Sequence, residues 1–516
     1  MLVSTLTVSG MTLLSRVFGL IRDITLATVF GVSGGTDAFL IAFKIPNFMR
    51  RLFAEGAFSQ AFVPVFSEYR ETRSPEALHD LIDHVAGTLG SILLLITALG
   101  SLAAPLLVYL FAPGFWDEPE RFDLTADMLH ITFPYLFFIA LVAFAGGILN
   151  SYNKFALPAF TPVILNLCLI SAALWLAPYF DAPLMALAWG VAVAGLLQLL
   201  IQFPALLKLG LVPVPRFKRA HEGVRKILRL MLPAVIGSSV AQINLLLDTI
   251  IASFLAIGSV TWLYYSDRML EFPLGILGIA IATVILPALS RHHANESSDH
   301  FNHTLDWAMK LVMLVAIPAC VGLLLLAGPI LATLFQHGGF DTTDTYMASL
   351  SLMAYMLGLP AFILIKVLAP GYYSRQDTKT PVKIAIKAMV SNMVLNVAFV
   401  VPMVMLQYEA PHVGLALATT CSAYINAILL YRGLRQADVY RPLQGWAKLS
   451  LQILLACSGM GVYLVMMTPA LETWSELGIL GRAAQLAMII GIAAAIYFSI
   501  LLLSGVRPGQ LRQKHS

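Results

Sequence analysis

The chain has 516 residues, of which 59% are hydrophobic and 12% are charged, and its mean hydropathy is +0.82. Soluble domains carry about 25% charged residues, so this composition excludes a soluble globular protein. Each membrane-spanning helix needs about 20 mostly apolar residues, which leaves room for a dozen or more spans. We therefore expect an all-α polytopic membrane protein, in which the position of each charge matters more than the net charge of +4.

Apolar runs separated by polar or Gly/Pro-rich breaks predict fourteen transmembrane helices. Their limits are 8–30, 36–62, 85–111, 128–149, 158–178, 184–207, 227–254, 260–288, 308–335, 346–372, 381–406, 412–432, 447–468 and 482–504.

The connections between these spans alternate in charge. Odd-numbered connections hold almost no cation; the one between spans 3 and 4 contains Asp117, Glu118, Glu120 and Asp123 and a single Arg121. Even-numbered connections are basic, and the one between spans 6 and 7 holds Lys208, Arg216, Lys218, Arg219, Arg225 and Lys226. Because positive connections mark the cytoplasmic side, the pattern predicts that both termini are cytoplasmic.

Three features recur at one constant separation along the chain. Gly35 is matched by Gly258, Pro64 by Pro287 and Pro158 by Pro381, and each pair is 223 residues apart. Internal repeats are typical of transporters, although a chance alignment of Gly and Pro at span ends is the alternative. The offset predicts two six-helix lobes related by a parallel repeat, 1–223 and 224–440. Residues 441–516 add helices 13 and 14, either as a groove for a lipid tail or as structural packing.

Charged residues also lie inside the spans. They include Arg16, Arg22 and Asp23 in span 1, Asp37, Lys44, Arg50, Arg51 and Glu55 in span 2, Asp267, Arg268 and Glu271 in span 8, and Lys366 in span 10. A charge at the bilayer centre costs about 2.5–3.5 kcal/mol on insertion scales, so such residues usually face a polar cavity or one another. Their clustering predicts a polar cavity between two halves, as in a transporter of a charged substrate.

Arginine predominates among these charges, and its planar fork binds phosphate oxygens in a bidentate manner. Arg16, Arg22, Arg50 and Arg268 therefore suit a phosphate or pyrophosphate head group. The alternative is that they form internal salt bridges, and the spacing of Arg268 and Glu271 predicts one such pair. Asp37 and Lys44 share a helical face, and we expect Pro46 to kink the helix before Asn47.

Four long stretches carry a family resemblance. They are SRVFGLIRD (15–23), TDAFLIAFKIPNFMRRLFAEGAFSQAFVPVF (36–66), YYSDRMLEFPLGILGIAIATVILPALS (264–290) and KVLAPGYYSRQDTKTPVKIA (366–385). Through them the chain resembles the MurJ (MviN) family, which belongs to the multidrug/oligosaccharidyl-lipid/polysaccharide exporter superfamily. The resemblance implies a flippase for lipid II, the undecaprenyl-pyrophosphate-linked peptidoglycan precursor, that works by alternating access in the bacterial inner membrane.

The resemblance also implies roles for individual residues. The arginines of the family's cavity match Arg16, Arg22, Arg50 and Arg268, and its polar residues near the gate match Asp37, Lys44, Asn47, Asp267, Glu271 and Lys366. It implies lipid II and membrane lipids as partners, together with other cell-wall synthesis proteins. We expect no cofactor, no enzymatic activity and no nucleic-acid partner. The metal or coupling ion stays open, as does the role of Asp248.

Three other functions deserve comparison. A drug/cation antiporter of the same superfamily would want a cavity dominated by carboxylates, and the arginines argue against it. An integral-membrane polymerase or transferase usually needs a sizeable outer loop, and the outward connections here are short. An exporter of another lipid-linked oligosaccharide differs only in its head group, so only the family resemblance favours lipid II.

Overall fold

The computed structural model describes residues 2–51, 58–217, 221–294 and 297–506, which are helical and contain no β-strand. The chain divides into two compact units, Met1–Thr261 and Trp262–Ser516. Of the residues discussed above, Glu55, Lys218 and Arg219 lie outside the described ranges.

Eleven α-helices lie in the first unit, unit 1. They are α1 (Leu2–Phe30), α2 (Gly34–Arg50), α3 (Ser59–Thr72), α4 (Pro75–Leu102), α5 (Ala104–Phe111), α6 (Pro119–Thr132), α7 (Tyr135–Ser151), α8 (Ala156–Ser171), α9 (Met185–Leu200), α10 (Phe203–Leu209) and α11 (Glu222–Ser253). A 3-10 turn, Pro113–Asp117, precedes α6.

Helix α12 (Ser259–Pro273) crosses the boundary between the units, and the other described helices belong to the second unit, unit 2. They are α13 (Ile279–Ala294), α14 (Ser298–Leu325), α15 (Ala327–Leu334), α16 (Thr342–Leu357), α17 (Leu359–Tyr373), α18 (Lys379–Met405), α19 (Val413–Gln436), α20 (Trp446–Met467), α21 (Leu471–Glu476) and α22 (Ile479–Leu503).

Ten helical segments in the described ranges are long and apolar enough to cross a membrane. They correspond to predicted spans 3–6 and 9–14, so a multi-pass membrane protein is confirmed. Predicted spans 1, 2, 7 and 8 are not among these ten segments. The total of fourteen, the repeat and the cytoplasmic termini stay predictions, and so do the predicted boundaries 223/224 and 440/441.

Connections of the same predicted side meet at each end of unit 1. At one end, the turn at Gly114 donates its backbone N–H to Ser253 Oγ at the end of α11 (3.0 Å). At the other end, His79 of α4 lies 2.7 Å from the backbone oxygen of Gly210. The contact of Gly114 with Ser253 brings connection 3/4 to the end of α11, where connection 7/8 begins. The contact of His79 with Gly210 brings the start of α4 to connection 6/7. This grouping is the one that the charge alternation predicts.

Predicted span 8 is not one regular helix. Helix α12 ends at Pro273, a π-helical turn follows over Leu274–Gly278, and α13 continues the chain. Proline lacks the N–H that an α-helix needs at that position, so the local ladder changes register. By contrast, α2 continues through Pro46 to Arg50, so the helix does not end at that proline.

In unit 2, the carboxylate of Asp306 on α14 anchors the start of α20. Its Oδ1 accepts hydrogen bonds from Tyr440 Oη (2.7 Å), Trp446 Nε1 (2.7 Å) and the Leu443 backbone N–H (3.2 Å), while Oδ2 pairs with Lys310 Nζ (2.7 Å). Helices α20 and α22 pack against each other, and both contact α14. The start of α20 is thus joined to α14 by a polar network around the buried Asp306 carboxylate.

Replacing Asp306 by Ala should destabilise unit 2, because the hydroxyl of Tyr440 and the indole N–H of Trp446 lose their acceptor. Each unsatisfied buried donor costs about 1–3 kcal/mol. We expect a lower apparent melting temperature of the purified protein and faster proteolysis between α19 and α20. Asp299→Ala on the exposed face of the same helix is the control, with an effect below about 1 kcal/mol. Equal effects of the two variants would contradict the anchoring role.

Candidate functional site

Two adjacent charges of α1 form a buried ion pair. Arg22 and Asp23 are 5% and 4% exposed, and Nε and Nη2 of Arg22 donate to Asp23 Oδ1 at 2.9 and 2.6 Å. Arg22 Nη1 also donates to Asn166 Oδ1 of α8 (3.1 Å), whose Nδ2 donates to the Ser15 backbone oxygen (3.2 Å). Helix α8 packs along α1, so Asn166 orients this arginine from the neighbouring helix.

Arg16, two turns earlier on α1, is in a different state. Its side chain is half-buried, and within the described part of the chain it makes no hydrogen bond and no ion pair. A guanidinium with five unused donors is a ready site for an anion. Arg16 therefore fits a role in binding better than a role in holding helices together.

Asp37 lies at the beginning of α2, and local sequence explains its position. Gly31 adopts a left-handed conformation (φ 59°) after α1, and Ser33 caps α2 by accepting the Thr36 N–H (3.1 Å). The side chain of Asp37 is therefore in the first helical turn, where the helix dipole favours a negative charge. It is fully buried.

The Asp37 carboxylate accepts four hydrogen bonds, all within unit 1. Oδ2 accepts from Arg121 Nη2 (2.6 Å) and the Gly258 N–H (2.8 Å), and Oδ1 accepts from the Thr261 N–H (2.9 Å) and hydroxyl (2.5 Å). Gly258 has φ 95°, a conformation that glycine adopts without strain. The Arg121 guanidinium carbon also lies 3.6 Å from the centroid of the Phe115 ring. Asp37 therefore links the start of α2 to α6 and to the start of α12.

The other predicted residues of α2 lie further along the helix. Asn47 Oδ1 accepts a hydrogen bond from Arg50 Nε (3.1 Å), and Arg50 is half-buried. Lys44 and Asp37 lie on the same face of α2, but the side chain of Asp37 is buried and that of Lys44 is exposed. Arg51, the neighbour of Arg50, is exposed.

In unit 2, the predicted pair of Arg268 and Glu271 is confirmed, with Nη1 and Oε2 2.8 Å apart. Arg268 also lies over the ring of Tyr264, 5.2 Å from its centroid. Asp267 is half-buried on the same helix. Lys366 of α17 is exposed, and its stem passes the π turn, with Cγ 3.6 Å from the place that a Cβ would take on Gly278. These side chains are near the surface of their unit rather than in its core.

The candidate arginines differ in how many of their donors the protein itself occupies. Arg16 has all its donors available, Arg268 is held on one side by Glu271, and Arg22 is fixed in position by an acid and an amide. Preorganised arginines of this kind recognise anions with several oxygens.

Comparison with known proteins identifies the relatives of the chain. A profile of the family described as "Lipid II flippase MurJ" matches residues 26–484. A "Probable lipid II flippase MurJ" from Haemophilus influenzae is 48% identical over 98% of this chain and 100% of its own length. The "Lipid II flippase MurJ" of Burkholderia cenocepacia is 40% identical over 99% of this chain and 98% of its own. The chain belongs to the lipid II flippase MurJ family.

Solved structures agree with that membership. A "Lipid II flippase MurJ, inward closed conformation" is 30% identical, with a TM-score of 0.78 over 96% of this chain and 99% of its own. An inward-facing multidrug resistance MATE family transporter of the MOP superfamily is 14% identical, with a TM-score of 0.65 over 84% of this chain and 98% of its own. The second likeness shows the fold alone.

Sequence reasoning for this MurJ family member missed the partners of its predicted charges. Asn166 is an uncharged residue in a long apolar run, and Thr261 lies in a segment that was noted only for its glycine. Arg121 was counted as an isolated cation of a connection, yet its side chain is 4% exposed and pairs with Asp37. One feature of the sequence pointed to this pair. Arg121 is the only cation in an acidic connection, and a buried cation needs a carboxylate as its partner.

Replacing Asn166 by Leu should loosen Arg22, since a hydrogen bond to a charged group is worth about 1.5–3 kcal/mol. We expect a lower apparent melting temperature of the purified protein. Asn150→Leu is the matched control, because Asn150 is exposed at the end of α7. If Asn166→Leu and Asn150→Leu both melt at the same temperature as the unchanged protein, Asn166 does not hold Arg22 in place.

Proposed function

We propose that this protein moves lipid II from the cytoplasmic to the periplasmic leaflet of the bacterial inner membrane. The observation that carries the proposal is the match to flippases of this name over almost the whole of both chains. The protein is a transporter in this proposal, and lipid II is its substrate. Export of another lipid-linked oligosaccharide is the second candidate, because the same arginines would suit any pyrophosphate head group.

The pyrophosphate of lipid II is proposed to bind Arg16, Arg22, Arg50 and Arg268, the four predicted arginines. What supports this is their chemistry: Arg16 has free donors, and Arg22 is held rigidly by Asp23 and Asn166. Lys44, Asn47, Asp267, Glu271 and Lys366 are proposed as the polar residues that surround the head group. The two exposed cations among them, Lys44 and Lys366, add to the attraction for an anion.

Two six-helix repeats are proposed as the basis of alternating access. Helix starts in the two halves support them, because the differences 298−75, 327−104, 342−119 and 379−156 each equal 223, the offset found in the sequence. Superfamily members that share the fold are described as inward-facing and outward-facing. A fold that other members adopt in both states is suited to alternation.

The Asp37 network is proposed to close the periplasmic end in this conformation. It joins Asp37 at the start of span 2 to Arg121 in connection 3/4 and to Gly258 in connection 7/8, and the charge pattern predicts this end to be periplasmic. Charge-assisted hydrogen bonds are strong when water is excluded, and water that enters the site can replace them. Such a set of bonds can therefore hold one state without making it permanent.

Helices α20 and α22 are proposed to contact the polyprenyl tail. Many of their apolar side chains are exposed, among them Leu454, Val465, Met488 and Phe498. A lipid tail and the surrounding bilayer are the apolar partners available to these side chains.

Replacing Arg16, Arg22 or Arg268 by Ala should abolish translocation while the protein stays folded, because a bidentate phosphate contact is lost in each case. Cells depleted of the native copy and lacking a redundant flippase would carry each variant, and lipid II would be labelled separately in the two leaflets. We expect lipid II to accumulate on the cytoplasmic side.

The exposed Arg229 of α11 provides the matched control, and Arg229→Ala should translocate normally. Arg16→Lys separates charge from geometry, because lysine keeps the charge and loses the fork. Normal sidedness of lipid II with all three alanine variants would refute the arginine site. Normal sidedness after depletion itself would refute the substrate.

A disulfide across the proposed periplasmic gate should stop transport. A Cβ placed on Gly34 lies 3.9 Å from Ile257 Cγ2, so the two positions are in side-chain contact. In a background free of Cys168, Cys320, Cys421 and Cys457, we expect oxidised Gly34→Cys/Ile257→Cys protein to lose lipid II translocation and to regain it on reduction. Gly34→Cys alone should be unaffected by oxidant. Full activity of completely cross-linked protein would exclude opening at this place.

A further inference from the structure

A cluster of two histidines and one aspartate lies at the opposite end of unit 1 from Asp37. Asp80 and His84 are four residues apart on α4, so their side chains lie on the same face. His221 precedes α11 as its N-cap residue. One ligand atom from each of the three lies within 4.8 Å of the other two. Three donors from two helices thus converge on one point.

The imidazole nitrogens lie close to the Asp80 carboxylate. His84 Nδ1 donates to the Asp80 backbone oxygen (2.8 Å), which leaves Nε2 as the nitrogen of this ring that can bind a metal ion. His221 Nε2 is 3.3 Å from Asp80 Oδ2. Zinc bonds of about 2.0–2.1 Å in a tetrahedron give ligand separations of about 3.3 Å. The Asp80 side chain is 44% exposed, so it can rotate to complete the coordination and leaves room for water as a fourth ligand.

Burial and ring geometry favour the same interpretation. The side chains of His84 and His221 are 8% and 9% exposed, and their rings are stacked with centroids 4.8 Å apart. Two imidazoles and one carboxylate form a donor set that is typical of divalent transition metals.

The connection that carries His221 is fixed to α4 by other contacts. Asp83 accepts the Val214 N–H on its carboxylate (2.8 Å) and the Arg216 N–H on its backbone oxygen (3.0 Å). Gly87 permits this approach, because a Cβ there would lie 2.1 Å from the Arg216 backbone oxygen. Val214 and Arg216 are therefore held against α4 beside His84.

We propose that Asp80, His84 and His221 bind a zinc ion that joins the start of α11 to α4 on the cytoplasmic side. Imidazole ligands argue against Ca²⁺ and Mg²⁺, which prefer oxygen, and the donor set without sulfur suits Zn²⁺. The ion would restrain α11 where it enters unit 1, next to the ion pair of Lys226 and Glu68 (2.5 Å). This proposal is independent of the transported substrate.

The test is metal binding by the purified, tag-free, full-length protein after treatment with a chelator. ZnCl₂ would be titrated against a chromophoric competitor, and bound metal would be counted after gel filtration. We expect one Zn²⁺ per chain, and an affinity about 100-fold lower in His84→Gln, His221→Asn and Asp80→Asn, because each removes one ligand. Asn is a good N-cap residue, so His221→Asn preserves the start of α11.

His130→Ala is the control, because His130 is exposed on α6 and outside the cluster. It should bind zinc like the unchanged protein. Co²⁺ provides a second readout: the unchanged protein should develop the visible bands of four-coordinate cobalt, and His221→Asn should not. Zinc should also raise the apparent melting temperature of the unchanged protein.

Two results would overturn the proposal. One is that the unchanged protein retains no more zinc than a variant with all three substitutions. The other is that each single variant binds zinc as tightly as the His130→Ala protein. In either case the cluster is an ion pair of a carboxylate with histidine, without a metal. Loss of zinc binding with normal lipid II translocation would support the site and leave the proposed function intact.

Discussion

A charged side chain within the membrane needs hydrogen-bond partners, an opposite charge or water, because its removal from bulk water is costly. The positions of the charged residues in the described part of the chain follow from this constraint. An unpaired ion in a protein interior costs several kcal/mol. In unit 1 the cost is offset by partners for Arg22, which pairs with Asp23, and for Asp37, which accepts four hydrogen bonds. The apolar helices around them could be replaced by other apolar helices, but these partners could not.

The arginines differ in how completely that offset is supplied by the protein itself. Sequence alone left open whether they form salt bridges or bind a substrate, and the structure shows salt bridges for two of them. Arg22 and Arg268 each pair with an acid. Arg16 has no hydrogen bond or ion pair in the described part of the chain, and its side chain is half-exposed. The proposed anion-binding role therefore rests most directly on Arg16, whose donors the described part of the chain leaves unused.

Some features could be predicted from the sequence because they depend on neighbours along the chain. Hydropathy located ten confirmed spans, and the i, i+3 spacing predicted the pair of Arg268 and Glu271. The partners of Asp37 could not be predicted in this way, since Arg121 and Thr261 are 84 and 224 residues distant. The π turn after Pro273 could not be predicted either. The hydropathy of an apolar segment is the same whether its backbone hydrogen bonds follow an α-helical or a π-helical pattern.

Helix α11 shows why both ends of unit 1 matter to transport. Its end is held by the contact of Ser253 with Gly114, and its start is held by His221 and by Lys226, which pairs with Glu68. The sequence repeat assigns α11 to the second half of the chain, yet it packs here against α3, α4 and α5 of the first. While both of its ends are held by helices of the first half, α11 cannot move together with the second half.

Alternating access therefore requires that the contacts at one end of α11 break while those at the other end remain. A conformational change needs contacts that differ between its two states. At its end α11 is held by one hydrogen bond, whereas its start is held by an ion pair and, as we propose, by a metal ion. The contact at the end of α11 is therefore the one expected to break.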